Sequence, residues 1–315
     1  MAPLGVVLAT FGSAVTSDDV PAYMASVRGG REASPDLIAE FRRRYDLIGR
    51  SPLIEITQAQ AEALQAVLDA TMGSGEVIVA PGMLHSEPTL ASALDAVHTG
   101  GANTIVVVVL APQYSPIILA GYERAVASWS SAHPDIEVHI AGAWHLIPEW
   151  IGALAERVKA ALAQLDPAVR DTIPIIFTAH SLPRPVVDRD PGYITQLHDT
   201  ATSVACALDL DAKRWSFAYQ SAGHTPEEWL TPDVKDLFPA FRDAGVTEVL
   251  IVPLQFLADH LEILYDIDIA AQEEAVEAGI TMHRIALPNT QPAFIDALAA
   301  VVERERLGVA STTAS

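Results

Sequence analysis

The sequence predicts a doubly wound α/β protein of two similar lobes, and three observations predict it. Continuous apolar, β-branched runs recur along the 315 residues, as in "TIVVVVLAP" at 104–112. Runs of this kind suit parallel strands covered on both faces. Most are followed by a stretch of helical period, which is the alternation of a doubly wound sheet. Eight such strands divide four plus four, leaving a cleft between two lobes.

The elements follow in order. The first lobe is expected over residues 1–145, with strands at 4–10, 76–80, 104–110 and 136–141 and helices at 56–70, 89–98 and 119–130. The amphipathic "PEWIGALAERVKAALAQL" at 148–165 lies across the joint, expected within 142–171. The second lobe is expected over 146–288, with strands at 173–178, 215–219, 248–253 and 281–286 and helices at 194–208, 233–244 and 260–277. A last unit, 289–307, contains a helix at about 291–305 that packs back on the first lobe, and 308–315 reads as a frayed tail.

Composition narrows the function. A net charge of −21 repels nucleic acid and anionic membranes. No apolar run approaches the ~20 residues of a membrane span, and the N-terminus lacks the basic start of a signal peptide. A soluble, cytoplasmic protein is the expectation, with a monomer as the default. The one cysteine, Cys206, excludes an internal disulfide, a cysteine-rich zinc site and an iron–sulfur cluster held within one chain. Its small apolar neighbours suggest a buried helix thiol. Neither a dinucleotide fingerprint, a P-loop nor a G-x-S-x-G elbow occurs.

Ligands of open α/β sheets bind beyond the carboxyl ends of the strands, so the strand-ending loops carry the chemistry. In "PIIFTAHSLPRPV" (174–186) His180 ends an apolar strand. In "FLADHLEILYDIDIAAQEE" a helix starting near Asp259 puts Glu262 and Asp266 on one face. A histidine and a carboxylate facing each other can hold a borderline divalent metal or accept protons near neutral pH. The alternative is an exposed acidic face beside a loop histidine. His85, His224 and His260 read as structural or supporting residues. Arg28, Arg31, Arg42, Arg43, Arg44 and Arg50 cluster in one short segment of an acidic chain. They suit an anionic small molecule, or else pairing with Glu32, Glu40 and Asp46.

Five blocks in order, "RYDLIGRSPLIEITQAQAEAL" (44–64), "LAPQYS" (110–115), "FTAHSLP" (177–183), "YQSAGHTPEEWLTPDV" (219–234) and "VPLQFLADHLEILYDIDI" (252–269), resemble the ferrochelatase family. The resemblance implies two Rossmann-like lobes, each a four-stranded parallel sheet flanked by helices, in a chelatase-like arrangement. It implies a lyase of haem biosynthesis that inserts ferrous iron into a porphyrin. Iron is then a substrate, no organic cofactor is needed, and an acceptor protein for the product is a plausible partner. His180 and Glu262 fall on the family's essential pair, in proton and metal handling, with Asp266 as an outer metal ligand. The segment 11–51 resembles relatives that take coproporphyrin III. Phe11, Arg28, Arg44, Tyr45, Ser51 and Tyr122 fall on porphyrin-contacting positions, and Arg31 lies close by. Protoporphyrin IX, another metal and tetrapyrrole, or porphyrin binding without catalysis are the alternatives, in that order.

Three departures stand out. Phe11 replaces a tyrosine that can ligate product iron. "LIGRSPL" is one glycine short. Ala270 replaces an acidic residue after Asp266, for which Glu273 is a possible substitute on nearly the same face.

Overall fold

The computed structural model describes residues 2–223 and 226–313, the side chains of 309–313 excepted. The first lobe is built on β1 (Leu4–Thr10), β2 (Val77–Met83), β3 (Thr104–Val109) and β4 (Glu137–Ile140). Its helices are α1 (Val20–Val27), α2 (Pro35–Ile48), α3 (Leu53–Met72), α4 (Leu90–Thr99) and α5 (Pro116–Ala132). Next come α6 (Pro148–Leu162) and the single turn α7 (Pro167–Arg170). The second lobe has β5 (Ile175–His180), β6 (Trp215–Gln220), β7 (Glu248–Pro253) and β8 (Thr281–Arg284). Between its strands lie α8 (Arg184–Val187), α9 (Gly192–Ala207), α10 (Val234–Asp243), α11 (Leu261–Leu264), a π-helix (Asp266–Ala271) and α12 (Gln272–Glu277). The chain closes with α13 (Pro292–Thr313).

Both sheets are wholly parallel and share one topology, β2-β1-β3-β4 and β6-β5-β7-β8. Alternation along each strand divides its side chains between two faces. Val7 and Ala9 of β1 face a cluster under α4 and α5, while Val6 and Leu8 enter a second cluster. That second cluster also takes Ile175 and Phe177 of β5, Leu250 and Val252 of β7, and residues of α3, α6, α9 and α13. One core therefore runs from the first sheet to the second. Trp150 sits inside it, edge-to-face with Trp144 and with Phe294, ring centres 5.6 Å apart in each pair. α13 packs on α3, α6 and β3.

The expected strands all form, with β2 extended to Met83 and β8 ending at Arg284 rather than 286. The segment 15–51 holds two helices, α1 and α2. Ser34 caps α2 by accepting the Leu37 amide, and Pro35 presets its first turn. The expected helix at 260–277 is broken into α11, the π-helix and α12. α13 continues to Thr313 instead of ending near 305, because a nucleated helix propagates at little cost. Ala314 and Ser315 lie outside the described residues. Cys206 is exposed, not buried, since α9 turns Leu197, Ala201, Val204 and Ala205 inward and leaves residue 206 outside. Among the described residues no helix is long and apolar enough to cross a membrane.

Candidate active site

The two sheets have their topological switch points between β1 and β3 and between β5 and β7, where successive crossovers leave in opposite directions. In the second lobe the switch point carries the expected pair. Ile175 to Ala179 are wholly buried, and His180 is the first residue of β5 to reach solvent, its side chain 26% exposed. Its amide donates to Gln255 Oε1 at 3.2 Å. Its Nδ1 is hydrogen bonded to the Ser181 carbonyl. An Nδ1–H donated there leaves Nε2 free to face Glu262, and Nε2 stands 3.5 Å from Glu262 Oε2.

His260 meets the same oxygen. Its Nδ1 lies 3.0 Å from the Ala258 carbonyl and its Nε2 3.8 Å from Glu262 Oε2. The Phe256 ring lies 6.4 Å from His180 and 5.0 Å from His260, centre to centre. Two imidazoles with the same tautomer preference thus flank one carboxylate. Burial pushes the Glu262 carboxyl up, but the neighbouring His180 and His260 outweigh it and hold the group at about 2. The Glu262 side chain remains 39% exposed. His260, read from the sequence as a supporting residue, belongs beside the pair.

Asp266 is near enough to feel the charges of Glu262 and His180, and it also faces α2. Arg44 Nη1 of α2 stands 3.6 Å from Asp266 Oδ1. Burial raises the Asp266 carboxyl, helped by the charge of Glu262 and opposed by that of Arg44. Glu273 is exposed. Beyond Asp266 the π-helix, with i→i+5 bonds such as Ala270 N–H to Tyr265 O at 2.9 Å, winds more slowly than the α-helix expected from the sequence. Among the described residues no group of three or more His, Cys, Asp and Glu side chains is arranged to hold a metal ion.

At the first switch point Phe11 stands 46% exposed after β1. Its ring meets His85 edge-on at 4.5 Å, and His85 Nδ1 lies 3.0 Å from Ser26 Oγ. Tyr45 and Ser51 are drawn together but inward. Both are buried, with hydroxyls 2.9 Å from Ser13 Oγ. Tyr122 is buried in the core of the first lobe, and burial pushes its hydroxyl well above the usual range. Arg28 and Arg31 are exposed where α1 ends, and Arg31 Nε donates to the Arg28 carbonyl at 3.1 Å. Arg44 is already engaged: Nε donates to Glu40 at 2.8 Å and the guanidinium lies 4.9 Å from the centre of the Tyr265 ring. Gly49 of "LIGRSPL" is in the left-handed region, φ 76°. His224 lies outside the described residues.

The sequence matches the family profile described as Ferrochelatase over residues 3–306. It is 37% identical over 310 residues to a ferrochelatase of Deinococcus radiodurans, covering 98% of each chain. It is 35% identical over 302 residues to the coproporphyrin III ferrochelatase of Geobacillus thermodenitrificans, covering 95% of each. Among solved structures, SirB from Bacillus subtilis with Fe3+ superposes with a TM-score of 0.61, covering 96% of this chain and 94% of that one. At 15% identity that likeness concerns the fold.

Proposed function

This chain belongs to the ferrochelatase family, and on that premise we propose that it inserts ferrous iron into coproporphyrin III through His180, His260 and Glu262. The observation that carries the reading is the convergence of two imidazoles on one carboxylate at the β5/β7 switch point. Metallation replaces two pyrrole N–H protons by one Fe2+ and releases two protons. His180 and His260 each keep Nδ1 on a carbonyl, so each has an Nε2 that can take one of them. Glu262 stays ionised through the neutral range. Its charge stabilises an imidazolium as it forms. Glu262 Oε2 and His180 Nε2 are donors suited to a borderline divalent ion, and Asp266 would serve as the outer ligand.

The substrate choice rests on the exposed Arg28 and Arg31, at the end of the helix that follows Phe11. Coproporphyrin carries four propionates, and guanidiniums bind carboxylates in a two-pronged fashion. Phe11 would pack on the macrocycle face without ligating the product iron. Tyr45, Ser51 and Tyr122 would shape the wall behind it, and Arg44 would act through the Glu40 and Asp266 it holds. In this reading the protein works as a cytoplasmic monomer without organic cofactor or iron–sulfur cluster, and an acceptor protein takes its product.

Purified protein, mixed anaerobically with ferrous iron and either coproporphyrin III or protoporphyrin IX, tests this by loss of the free-porphyrin absorbance. Faster metallation of coproporphyrin is expected, and Glu262→Gln lowers kcat by about 100-fold or more. Preference for protoporphyrin would overturn the substrate. Binding of both without metallation would overturn the enzyme.

A further inference from the structure

We infer that Arg284 and Asn289, in the segment that ends β8, are positioning residues that hold the Glu262 carboxylate against the two imidazoles. The inference rests on the chelatase reading of that site. Glu262 sits on α11, a turn of four residues between an extended His260 and a π-helix. So short a turn has little stability of its own. Its place comes from the buried Leu261 and Ile263 and from what grips the chain on either side.

Beside the Arg44–Asp266 pair, two polar grips come from the β8 segment. Before Glu262, the Asp259 amide donates to Asn289 Oδ1 at 2.9 Å, and Asn289 Nδ2 donates to Asp259 Oδ2 at 2.8 Å. After it, Asp268 receives the fork of Arg284, Nε to Oδ1 and Nη2 to Oδ2, both at 2.7 Å. Arg284 Nη2 also lies 3.5 Å from Asp259 Oδ1, so one guanidinium ties the two anchors together. Asn289 itself is fixed. It holds the left-handed conformation, φ 46°, which asparagine tolerates. Its amide donates to the Leu257 carbonyl at 2.9 Å, and its own carbonyl accepts Gln60 Nε2 from α3 at 2.9 Å. A line of polar contacts therefore runs from the first lobe through Asn289, Asp259 and Arg284 to the π-helix. Among the described residues neither Arg284 nor Asn289 bonds to His180, His260 or Glu262. Their effect on chemistry is indirect, and a shift of about 1 Å at a reacting group can cost up to about 100-fold in rate.

The test exchanges the partners. Asn289→Asp sets two carboxylates against each other, and adding Asp259→Asn restores a donor and an acceptor with their roles reversed. The expected result is a kcat about tenfold or more below wild type for Asn289→Asp, an unchanged porphyrin KM, and recovery of most of the loss in the double variant. Arg284→Lys, which keeps charge but loses the fork, is expected to lower kcat in the same way and serves if Asn289→Asp does not fold. A wild-type kcat in both folded single variants, a loss that the exchange does not recover, or a change in KM alone would overturn the inference. An inactive wild type would instead sink the chelatase reading. The visible absorption of added Co2+, which follows ligand geometry, then decides the positioning role. It is expected to change in Asn289→Asp and return in the double variant, and an unchanged band would overturn the role.

Discussion

At the scale of single residues, His260 shows how one backbone conformation sets a role. On a helix starting at Asp259 it would point about 100° away from that residue. Instead it is the extended residue before α11, φ −161° and ψ −177°, and its ring turns to the carboxylate two positions on. No local pattern in "ADHLEIL" announces that start. Glu40 is a second case. Arg43 and then Arg44 donate to it, and together they hold its carboxyl at about 2 rather than the usual 4.5. A carboxyl depressed in the folded state binds its proton more weakly there than in the unfolded chain. The stabilisation is full above about pH 4.5 and is lost as pH falls towards 2. Wild type and Glu40→Gln, compared by denaturation across this range, are expected to differ by a constant amount above pH 5 and to converge below it. A difference independent of pH would show that the pair does not form.

At the scale of elements, the turns and irregular helices decide what the strands present. Gly12 follows β1 with φ 91°, and a Cβ there would lie 2.6 Å from Ser86 Oγ. That hydroxyl is spoken for: it accepts the Ser13 amide at 2.9 Å and donates to the Ser13 carbonyl at 2.8 Å. Gly12→Ala is therefore expected to cost about 1–3 kcal/mol in denaturant unfolding and to displace Phe11 and His85 on either side of the turn. An unchanged midpoint would mean that the turn relaxes freely. The π-helix is the other deciding element. It separates Asp266 and Glu273 from the single stripe an α-helix would give them, and it turns Asp268 to Arg284.

At the scale of the whole molecule, two lobes of matching topology share one core. Val6 and Leu8 of the first sheet, and Phe177 and Val252 of the second, belong to a single cluster with Trp150 and Phe294. The residue-by-residue division expected at 145 and 146 thus separates sheets, while α6, α9 and α13 join them. Truncation of a fully buried aromatic side chain costs about 3–5 kcal/mol. Trp150→Ala is expected to lose that much and to weaken both lobes in one unfolding transition. Two separated transitions, followed by far-ultraviolet dichroism and tryptophan fluorescence, would show lobes that fold independently.

By itself the sequence determined the eight strands, their parallel pairing class, the four-plus-four division and the placing of His180 and Glu262 after strands. These are properties of period and composition within short windows, and a buried parallel strand writes them locally. The tertiary structure alone decided that His260 shares the Glu262 carboxylate, that Arg44 is bound to Glu40 and Asp266, and that Tyr45 and Ser51 turn inward. It also decided that Asp268 and Asp259 are gripped from the β8 segment. Apart from the Arg44–Glu40 pair, each of these depends on where a backbone breaks its regular winding or on partners far apart in the chain. Arg43 and Tyr265, 222 residues apart, are bonded to each other. That contact forms only when the two lobes are brought together, and no local period encodes it.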